Sequence, residues 1–484
     1  MSNLDIPKLQ TISEVVKKIK NRELKVTDLI IEHIERAKKV NDSTNSFITI
    51  FDGVSNSDQY DPIEKAKQID NYLDNGTVSE NSFLKKYIEK GSKLELLGVP
   101  FTAKDLYLVK NTRTTFGSRL MEDFIAPYTG TVIEKCFEQG AILIGKTNCD
   151  PWGFGGSGEN SGFGPAKNPY DLERTPGGSS SGSAASLAAG VGYFSLGTDT
   201  GGSVRQPASM CGLYGLKPTY GRNSRYGIGV MGSSFDTPGF FARYSEDILL
   251  LEKIMEGRDI NDPSSHTPAK SEKKEKLKIG IPKEFFAEGL DSEIREAIEK
   301  KIQEYKEAGH AIFEVSIPSV DYSLSVYYIL VPAEISSNRA RYDGVRFGKK
   351  VSDEYEENLI LSRSKYFEDE VKRRIMIGTY VLQAGFADQY YYKAMKVRSK
   401  IKREFKKVFK QVDLLVAPTS PTTAFKLGEK TNDPIQMYLA DIYTVAASVA
   451  GIPSLNIPIG MDKKGLPMGM QVMASWDEDY DLFF

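Results

Sequence analysis

Residues 177–207 constrain this chain more than any other stretch of it. They read GGSSSGSAASLAAGVGYFSLGTDTGGSVRQP, in which two Gly/Ser-rich segments flank an Ala/Leu helical pattern and the apolar run 193–196. Flexible linkers are also rich in glycine and serine. A linker does not, however, lead directly into a helical pattern and then a buried strand. The segment therefore predicts ordered core structure.

Helical and strand patterns alternate along the rest of the chain, which indicates an α/β fold. Strands are predicted at residues 47–50, 97–103, 141–144, 193–196, 277–281, 311–315, 413–417, 454–457 and 469–474. Helices are predicted at 27–40, 291–308 and 388–409, and Thr11 and Glu14 form a candidate capping box at the start of the first helix.

Two serines and one lysine are the candidate reactive groups. Ser179 lies in PGGSSSGSA, Ser203 in GTDTGGSVRQP and Lys104 in GVPFTAKD. A serine hydroxyl is a weak nucleophile until a base removes its proton. Lysine can be that base when burial lowers the pKa of its amine, and Lys104 follows an apolar, strand-like run. The pattern favours acyl transfer from an amide through a covalent acyl-enzyme.

The three histidines are poor candidates for the base. His33 lies in the charged run IIEHIERAKK, His266 in the polar stretch NDPSSHTPAK, and His310 at the end of a helical pattern. We expect each of them to be an ordinary residue at the surface or at a helix end.

The residues before Ser203 supply a candidate oxyanion hole. Thr200, Gly201, Gly202 and Ser203 offer successive backbone N–H groups beside the candidate nucleophile. The glycines allow a sharp turn and a close approach of substrate to the backbone. A helix beginning after Ser203 would further favour an anion there.

Three other motif matches compete with this interpretation. Residues 140–147 satisfy GxxxxGK[ST], but the four intervening residues are apolar and predict a strand, so nucleotide binding is a weak alternative. Residues 153–158 satisfy GxGxxG without a strand before them or a helix after them. Residues 178–182 satisfy the GxSxG elbow and are the more serious rival, although that fold needs a preceding strand and a later histidine.

Taken together, the three candidate segments resemble the amidase signature family over residues 97–472. The resemblance implies a catalytic set in which Ser203 is the nucleophile and Lys104 the base. Ser179, held in a cis peptide, would pass the proton between them, and residues 200–203 would form the oxyanion hole. It also implies the amidase-signature fold, an α/β fold with a mixed central sheet flanked by helices on both faces.

Domain organisation follows from the same resemblance. We expect one compact domain, in which residues 1–75 are an N-terminal helical segment and residues 76–484 the catalytic domain. The polar stretch 259–276 is the best candidate linker, but it is short, and proposed site residues lie on both sides of it.

Residues 220–239, 327–348, 370–398 and 433–458 resemble a particular branch of the family, whose members hydrolyse glutamine as one component of a tRNA-dependent amidotransferase. This implies that ammonia passes to a partner subunit, which amidates glutamate carried on tRNA(Gln). The expected partners are the two other subunits, B and C, together with glutamine and, indirectly, the charged tRNA. ATP and Mg²⁺ are expected on a partner, with no cofactor bound by this chain. A stand-alone amidase acting on another small amide is the alternative.

Glutamine is a zwitterion, so a site that selects it needs a cation for the carboxylate and an anion for the ammonium group. By resemblance, Arg374 and Asp441 fill these roles. Arg373 is the neighbour most easily confused with Arg374. Because successive helix positions point about 100° apart, only one of the two arginines can face a pocket.

Two segments depart from the family pattern. Pro151, Trp152 and Gly153 stand where the family has Glu, Phe and Ala, which puts the shape of the pocket in question. Residues 75–93 form a longer polar segment than expected before the candidate lysine, and we interpret them as a helical surface insertion.

Composition excludes several classes of protein. The 63 basic and 65 acidic residues are nearly balanced, which gives no sign of a surface that coats nucleic acid. The sequence contains no run of eighteen apolar residues, so it predicts no membrane span. The N-terminus does not resemble a signal peptide. Three scattered cysteines fit a reducing compartment. We therefore expect a cytoplasmic protein, or one of an organelle matrix or stroma.

Overall fold

A computed structural model describes residues 6–53, 60–80, 82–268, 276–286, 289–431 and 433–484. The strands are β1 (Phe47–Ile50), β2 (Pro100–Lys104), β3 (Ile142–Thr147), β4 (Phe194–Asp199), β5 (Tyr214–Lys217), β6 (Thr237–Ala242), β7 (Lys278–Pro282), β8 (Ala311–Val315), β9 (Leu414–Pro418), β10 (Ser454–Met461) and β11 (Pro467–Ala474). The helices are α1 (Ile12–Lys20), α2 (Val26–Thr44), α3 (Pro62–Asn75), α4 (Lys85–Ile88), α5 (Thr131–Glu138), α6 (Ser181–Ala188), α7 (Arg205–Met210), α8 (Ser245–Met255), α9 (Ser292–Glu307), α10 (Ser323–Arg339), α11 (Tyr355–Tyr366), α12 (Asp369–Val381), α13 (Tyr391–Val408), α14 (Pro434–Leu439) and α15 (Val445–Ala450).

The strands form one sheet in the order β1-β3-β2-β4-β6-β5-β10-β11-β9-β7-β8. Strand β2 runs parallel to β3 and β4, the strands from β4 across to β9 pair antiparallel, and β9, β7 and β8 are again parallel. The sheet is therefore mixed and flanked by helices, which confirms the predicted fold class.

Most predicted elements are present with small shifts of their ends. The strand predicted at 97–103 is β2, and the capping box at Thr11 and Glu14 opens α1 as expected. Strands β5 and β6 have no counterpart among the predicted strands. The strand predicted at 141–144 is β3, which covers 142–147, and the Lys146 Nζ is buried against Asp105 Oδ1 at 2.8 Å. Lys146 is thus engaged by a carboxylate rather than presented to a phosphate.

Parallel pairing among the second, third and fourth strands of the sheet positions the candidate site. Strands β2, β3 and β4 are buried along their whole length, as is usual for parallel strands covered on both faces. Phe101 and Phe194 stack between β2 and β4 with their ring centres 4.9 Å apart. Because Ala103 pairs with Leu196 in parallel register, the carboxyl ends of the two strands meet at the same edge of the sheet.

The boundary predicted at residue 75 coincides with the last residue of α3, but the division into a helical segment and a catalytic domain stays a prediction. Residue 81 of the predicted insertion and residues 269–275 of the candidate linker lie outside the described residues. No helix in the described ranges is both long and apolar enough to cross a membrane.

Candidate active site

Lys104 is the last residue of β2, and its side chain is completely buried. Its Nζ lies 2.8 Å from Ser179 Oγ, 3.0 Å from Ser180 Oγ and 2.9 Å from Thr198 Oγ1. No carboxylate among the described residues forms an ion pair with it. Burial lowers the pKa of the Lys104 amine to about 8, against a weaker opposing effect of more distant acidic groups.

This environment suits an amine that acts as a base. A neutral amine has two N–H donors and one lone pair, so it can donate to two of the three hydroxyls and accept a proton from the third. An ammonium group would have to donate to all three while buried with no carboxylate in contact among the described residues, which is costly. The geometry therefore lets Lys104 take a proton from Ser179.

Ser179 is held by backbone contacts on both sides. The peptide bond between Gly178 and Ser179 is cis, as the family resemblance implied. The Gly178 N–H donates to Gln206 Oε1 at 2.9 Å, and the Ser179 carbonyl accepts from the Asp150 N–H at 3.3 Å. The hydroxyl is therefore fixed against Lys104 by the chain itself, just before α6 begins at Ser181.

Ser203 lies in the turn between β4 and α7 and keeps 8% of its surface exposed. Its carbonyl accepts from the Ser180 N–H at 3.3 Å, which brings the two serine-bearing turns together. Its hydroxyl makes no hydrogen bond within the described chain. The structure thus joins Lys104 to Ser179 directly and places Ser203 beside that turn, but no hydrogen bond links Ser179 to Ser203.

Four successive backbone N–H groups in this turn have no partner among the described residues: those of Thr200, Gly201, Gly202 and Ser203, all of them buried residues. Buried N–H groups are nearly always paired, so an unpaired run indicates a place for an anionic ligand atom. Glycine is required at residue 202, where φ is +139° and a Cβ would lie 2.1 Å from Thr444 Oγ1.

A buried ion pair braces the same turn from behind. Arg205 donates through Nε and Nη2 to the two oxygens of Asp199, each at 3.0 Å. Burial alone would raise the pKa of Asp199, but the guanidinium holds it below its usual value. Since Asp199 and Arg205 stand at the two ends of the turn, their bidentate contact holds its ends together.

Arg374 lies on the inward face of α12, with Nε 2.8 Å from Glu370 Oε1. In the described structure Nε is the only atom of its guanidinium with a hydrogen bond, so the two terminal nitrogens are available to a ligand. Arg373 also pairs with Glu370, but its side chain is 42% exposed. The two arginines therefore diverge as their helical spacing predicts, and Arg374 is the one that points inward.

Close helix packing brings Arg374 to this position. Gly378, one turn after Arg374, faces the backbone of α10, where an added Cβ would lie 1.8 Å from the Pro332 carbonyl oxygen. That approach brings α12 against the part of α10 that carries Tyr328. The Arg374 guanidinium carbon lies 5.3 Å from the centre of the Tyr328 ring.

Asp441 also contacts Tyr328. The Tyr328 hydroxyl donates to Asp441 Oδ2 at 3.2 Å, and burial raises the pKa of Asp441 to about 7 although Arg374 opposes the shift. A Cβ on Gly156 would lie 3.7 Å from each Asp441 oxygen. Tyr328 therefore connects a buried cation and a buried carboxylate, the pair of charges that a zwitterion needs.

The segment that departs from the family pattern lies beside Ser179. Trp152 is fully buried in a left-handed conformation, with φ of 49°, and stacks on Phe116. At Gly153 a Cβ would lie 3.4 Å from Ser179 Oγ. The substitutions thus place a large aromatic group in the core and the smallest residue against the candidate relay.

Sequence reasoning missed several residues of the site. Ser180 and Thr198 complete the set of hydroxyls around Lys104, while Glu370 and Tyr328 orient the two charged groups. Ser180 adjoins Ser179 in the SSS run, which was the available signal for it. Glu370 lies four residues before Arg374 on the same helix, a spacing that could have indicated it, whereas Thr198 and Tyr328 depend on contacts between segments distant in sequence.

The prediction for His33 was wrong. Expected at the surface or a helix end, it is buried in α2, where its Nδ1 accepts the Gly192 N–H at 3.0 Å. Burial lowers the pKa of its imidazole to about 3, so it stays neutral and serves the packing of α2.

Comparisons with known proteins support the family that the sequence motifs indicated. The sequence model of the family described as Amidase matches residues 28–483. The A subunit of glutamyl-tRNA(Gln) amidotransferase from Coxiella burnetii is 43% identical over 480 residues, covering 97% of this chain and 94% of that protein. The corresponding A subunit from Thermoanaerobacter pseudethanolicus is 42% identical over 474 residues, covering 96% of this chain and 92% of that protein.

Solved structures share the architecture. The crystal structure of the glutamyl-tRNA(Gln) amidotransferase A subunit from Thermotoga maritima superposes with a TM-score of 0.78 at 36% identity, covering 100% of this chain and 94% of that one. A structure described as an amidase gives a TM-score of 0.79 at 26% identity, covering 98% and 97%.

Proposed function

This chain belongs to the amidase family, and within it we propose that the chain is the glutamine-hydrolysing A subunit of a glutamyl-tRNA(Gln) amidotransferase. The observation that carries the chemistry is the contact of the buried Lys104 amine with Ser179, beside the turn whose successive N–H groups have no partner among the described residues. The similarity to such A subunits over nearly the whole chain supports the choice of glutamine.

The proposed reaction begins with proton transfer along the two serines. Neutral Lys104 takes the Ser179 proton while Ser179 takes the Ser203 proton, so that Ser203 Oγ can bond to the carbonyl carbon of the glutamine side chain. The last step of this relay requires Ser203 to turn towards Ser179. Hydrogen bonds between catalytic groups are often long or poorly aligned before substrate binds.

The carbonyl oxygen gains a negative charge, which the N–H groups of Gly201, Gly202 and Ser203 are placed to stabilise. The C–N bond then breaks, and the proton held on Lys104 returns through Ser179 to the departing nitrogen, which leaves as ammonia. Water, activated by the same relay, hydrolyses the glutamyl ester on Ser203 and releases glutamate. Each proton taken by Lys104 is thus given back.

Substrate selection rests on the two charges connected by Tyr328. The free terminal nitrogens of Arg374 would hold the substrate carboxylate, because a guanidinium fork fits a planar anion. Asp441 would hold the ammonium group, and that contact favours its ionised form. Glu370 binds Nε of Arg374, so it fixes the orientation of the guanidinium and leaves the two terminal nitrogens free for the substrate.

Subunits B and C would receive the ammonia and hold the charged tRNA, with ATP and Mg²⁺ bound on a partner and no cofactor on this chain. We place the complex in the cytoplasm, or in an organelle matrix or stroma.

Ammonia release from L-glutamine is the direct test. The full chain alone should release ammonia slowly, and co-expression with subunits B and C should stimulate release when ATP and glutamylated tRNA(Gln) are present. Glutaminyl-tRNA(Gln) should then accumulate. Faster hydrolysis of unrelated small amides without partners would instead establish a stand-alone amidase.

Replacing Arg374 by alanine should raise the KM for glutamine about tenfold or more, equivalent to about 1.4 kcal/mol for each tenfold change, because the carboxylate loses its partner. The kcat should change less, because Arg374 does not touch the reacting carbonyl in this proposal. Steady-state kinetics measure both constants.

The matched control is Arg373→Ala. It removes the same kind of side chain from the neighbouring position and the same Glu370 contact, but from the exposed side of α12. Its KM should stay close to that of the unmodified chain. Equal KM values in the two variants would show that the assignment to Arg374 is wrong.

A further inference from the structure

Thr444 occupies an unusual position between the two halves of the site. It is fully buried immediately before α15, three residues after Asp441. Its Oγ1 lies 2.7 Å from the Gly201 carbonyl oxygen and 3.1 Å from the Asp441 carbonyl oxygen. One hydroxyl therefore reaches both the turn with the unpaired N–H groups and the backbone of the acidic residue.

The contact with Gly201 sets the direction of a neighbouring N–H. The Gly201 carbonyl and the Gly202 N–H belong to the same planar trans peptide, so they point in opposite directions. When Thr444 donates to the carbonyl, it holds the Gly202 N–H on the other side of that peptide. This N–H has no partner among the described residues.

On the side of Asp441, residues 441–444 form a tight turn. The Thr444 N–H donates to the Asp441 carbonyl at 3.0 Å, and the Thr444 carbonyl accepts from Arg205 Nη1 at 3.0 Å. Arg205 also braces the far end of the turn that carries Gly201. A movement of the Asp441 backbone would therefore be transmitted to the Gly201 peptide through Thr444.

We propose that Thr444 is a positioning residue that couples occupation of Asp441 by the substrate ammonium group to alignment of the Gly202 N–H. The inference rests on the proposed function, which assigns the ammonium to Asp441. Its consequence is that the ammonium group contributes to turnover as well as to affinity. Binding energy far from the reacting carbonyl is then realised in the transition state.

Two substrates separate this coupling from simple binding. L-Glutamine and glutaric acid monoamide carry the same amide and carboxylate, but the second lacks the ammonium group. With the unmodified chain, in complex with its partners, we expect kcat for the monoamide to be at least about tenfold lower. If the two substrates differ in KM alone, the coupling is overturned.

The variants Thr444→Val and Thr444→Ser test the residue itself. Valine keeps the shape but cannot donate, so kcat for glutamine should fall about tenfold. This is less than the loss of about a hundredfold to a thousandfold on removal of an oxyanion donor, because the Gly202 N–H is misaligned and not absent. The kcat values of the two substrates should then converge. Serine keeps the hydroxyl and should restore both the kcat and the difference between substrates.

Each outcome has a defined meaning. A role limited to packing would lower the melting temperature and leave the ratio of the two kcat values unchanged, which would overturn the inference. Should Thr444→Val fail to fold, equal kcat values for the two substrates on the unmodified chain would still overturn the inference. Absence of glutamine hydrolysis by the unmodified complex would refute the proposed function instead, and the inference would fall with it.

Discussion

Ser203→Ala is expected to lower glutamine hydrolysis at least about a thousandfold, which is roughly 4 kcal/mol at the transition state. Without the hydroxyl no acyl-enzyme can form, and the unpaired N–H groups of the turn have no tetrahedral oxygen to stabilise. Ser203 is 8% exposed and its hydroxyl makes no hydrogen bond within the described chain, so removal of that hydroxyl should cost little stability. Ammonia release and thermal unfolding measure the two effects.

Ser186→Ala is the control for this variant. Ser186 is also buried, but its hydroxyl donates only to the Ser183 carbonyl within α6, at 3.3 Å. Its activity should stay within about threefold of the unmodified chain, as expected for a change that touches no reacting group. Normal turnover by Ser203→Ala would refute the choice of nucleophile and revive the rival serine motif at residues 178–182.

Lys104→Met should cause a loss of similar size, at least about a thousandfold, because the relay loses its proton acceptor. The activity of the unmodified chain should also rise with pH through about 8, the pKa to which burial lowers this amine. The sign follows from the mechanism: the neutral amine is the base, and it replaces the ammonium form as pH increases. The measurement is kcat/KM across that range.

Lys217→Met controls for the loss of a buried lysine. Lys217 is fully buried on β5, where its Nζ donates to the Pro218 and Ile452 carbonyls at 2.9 and 2.8 Å. Burial lowers the pKa of its amine to about 7. This variant should lose stability, since two carbonyls lose their donor, but should keep its activity per folded molecule. Equal activity losses in both variants, or a rate independent of pH near 8, would contradict the role of Lys104.

Some elements could not be predicted because local pattern and tertiary context disagree. Strand β6 reads TPGFFA, whose proline and glycine argue against a strand. Helix α10 contains Pro332 within a run rich in aromatic and β-branched residues, yet it is helical because it packs between other elements. Context overrides propensity in both.

Local chemistry in the sequence determined the candidate nucleophile, the candidate base and the strand that carries Lys104. Each depends on a short motif whose small or apolar residues restrict the backbone wherever the segment lies. Only tertiary structure decided which side chains meet: Lys104 contacts Ser179 across 75 positions, and Tyr328 reaches Asp441 across 113. Packing between distant segments also turned Arg374 inward and removed Lys104 from water, because burial and pairing are properties of the folded chain.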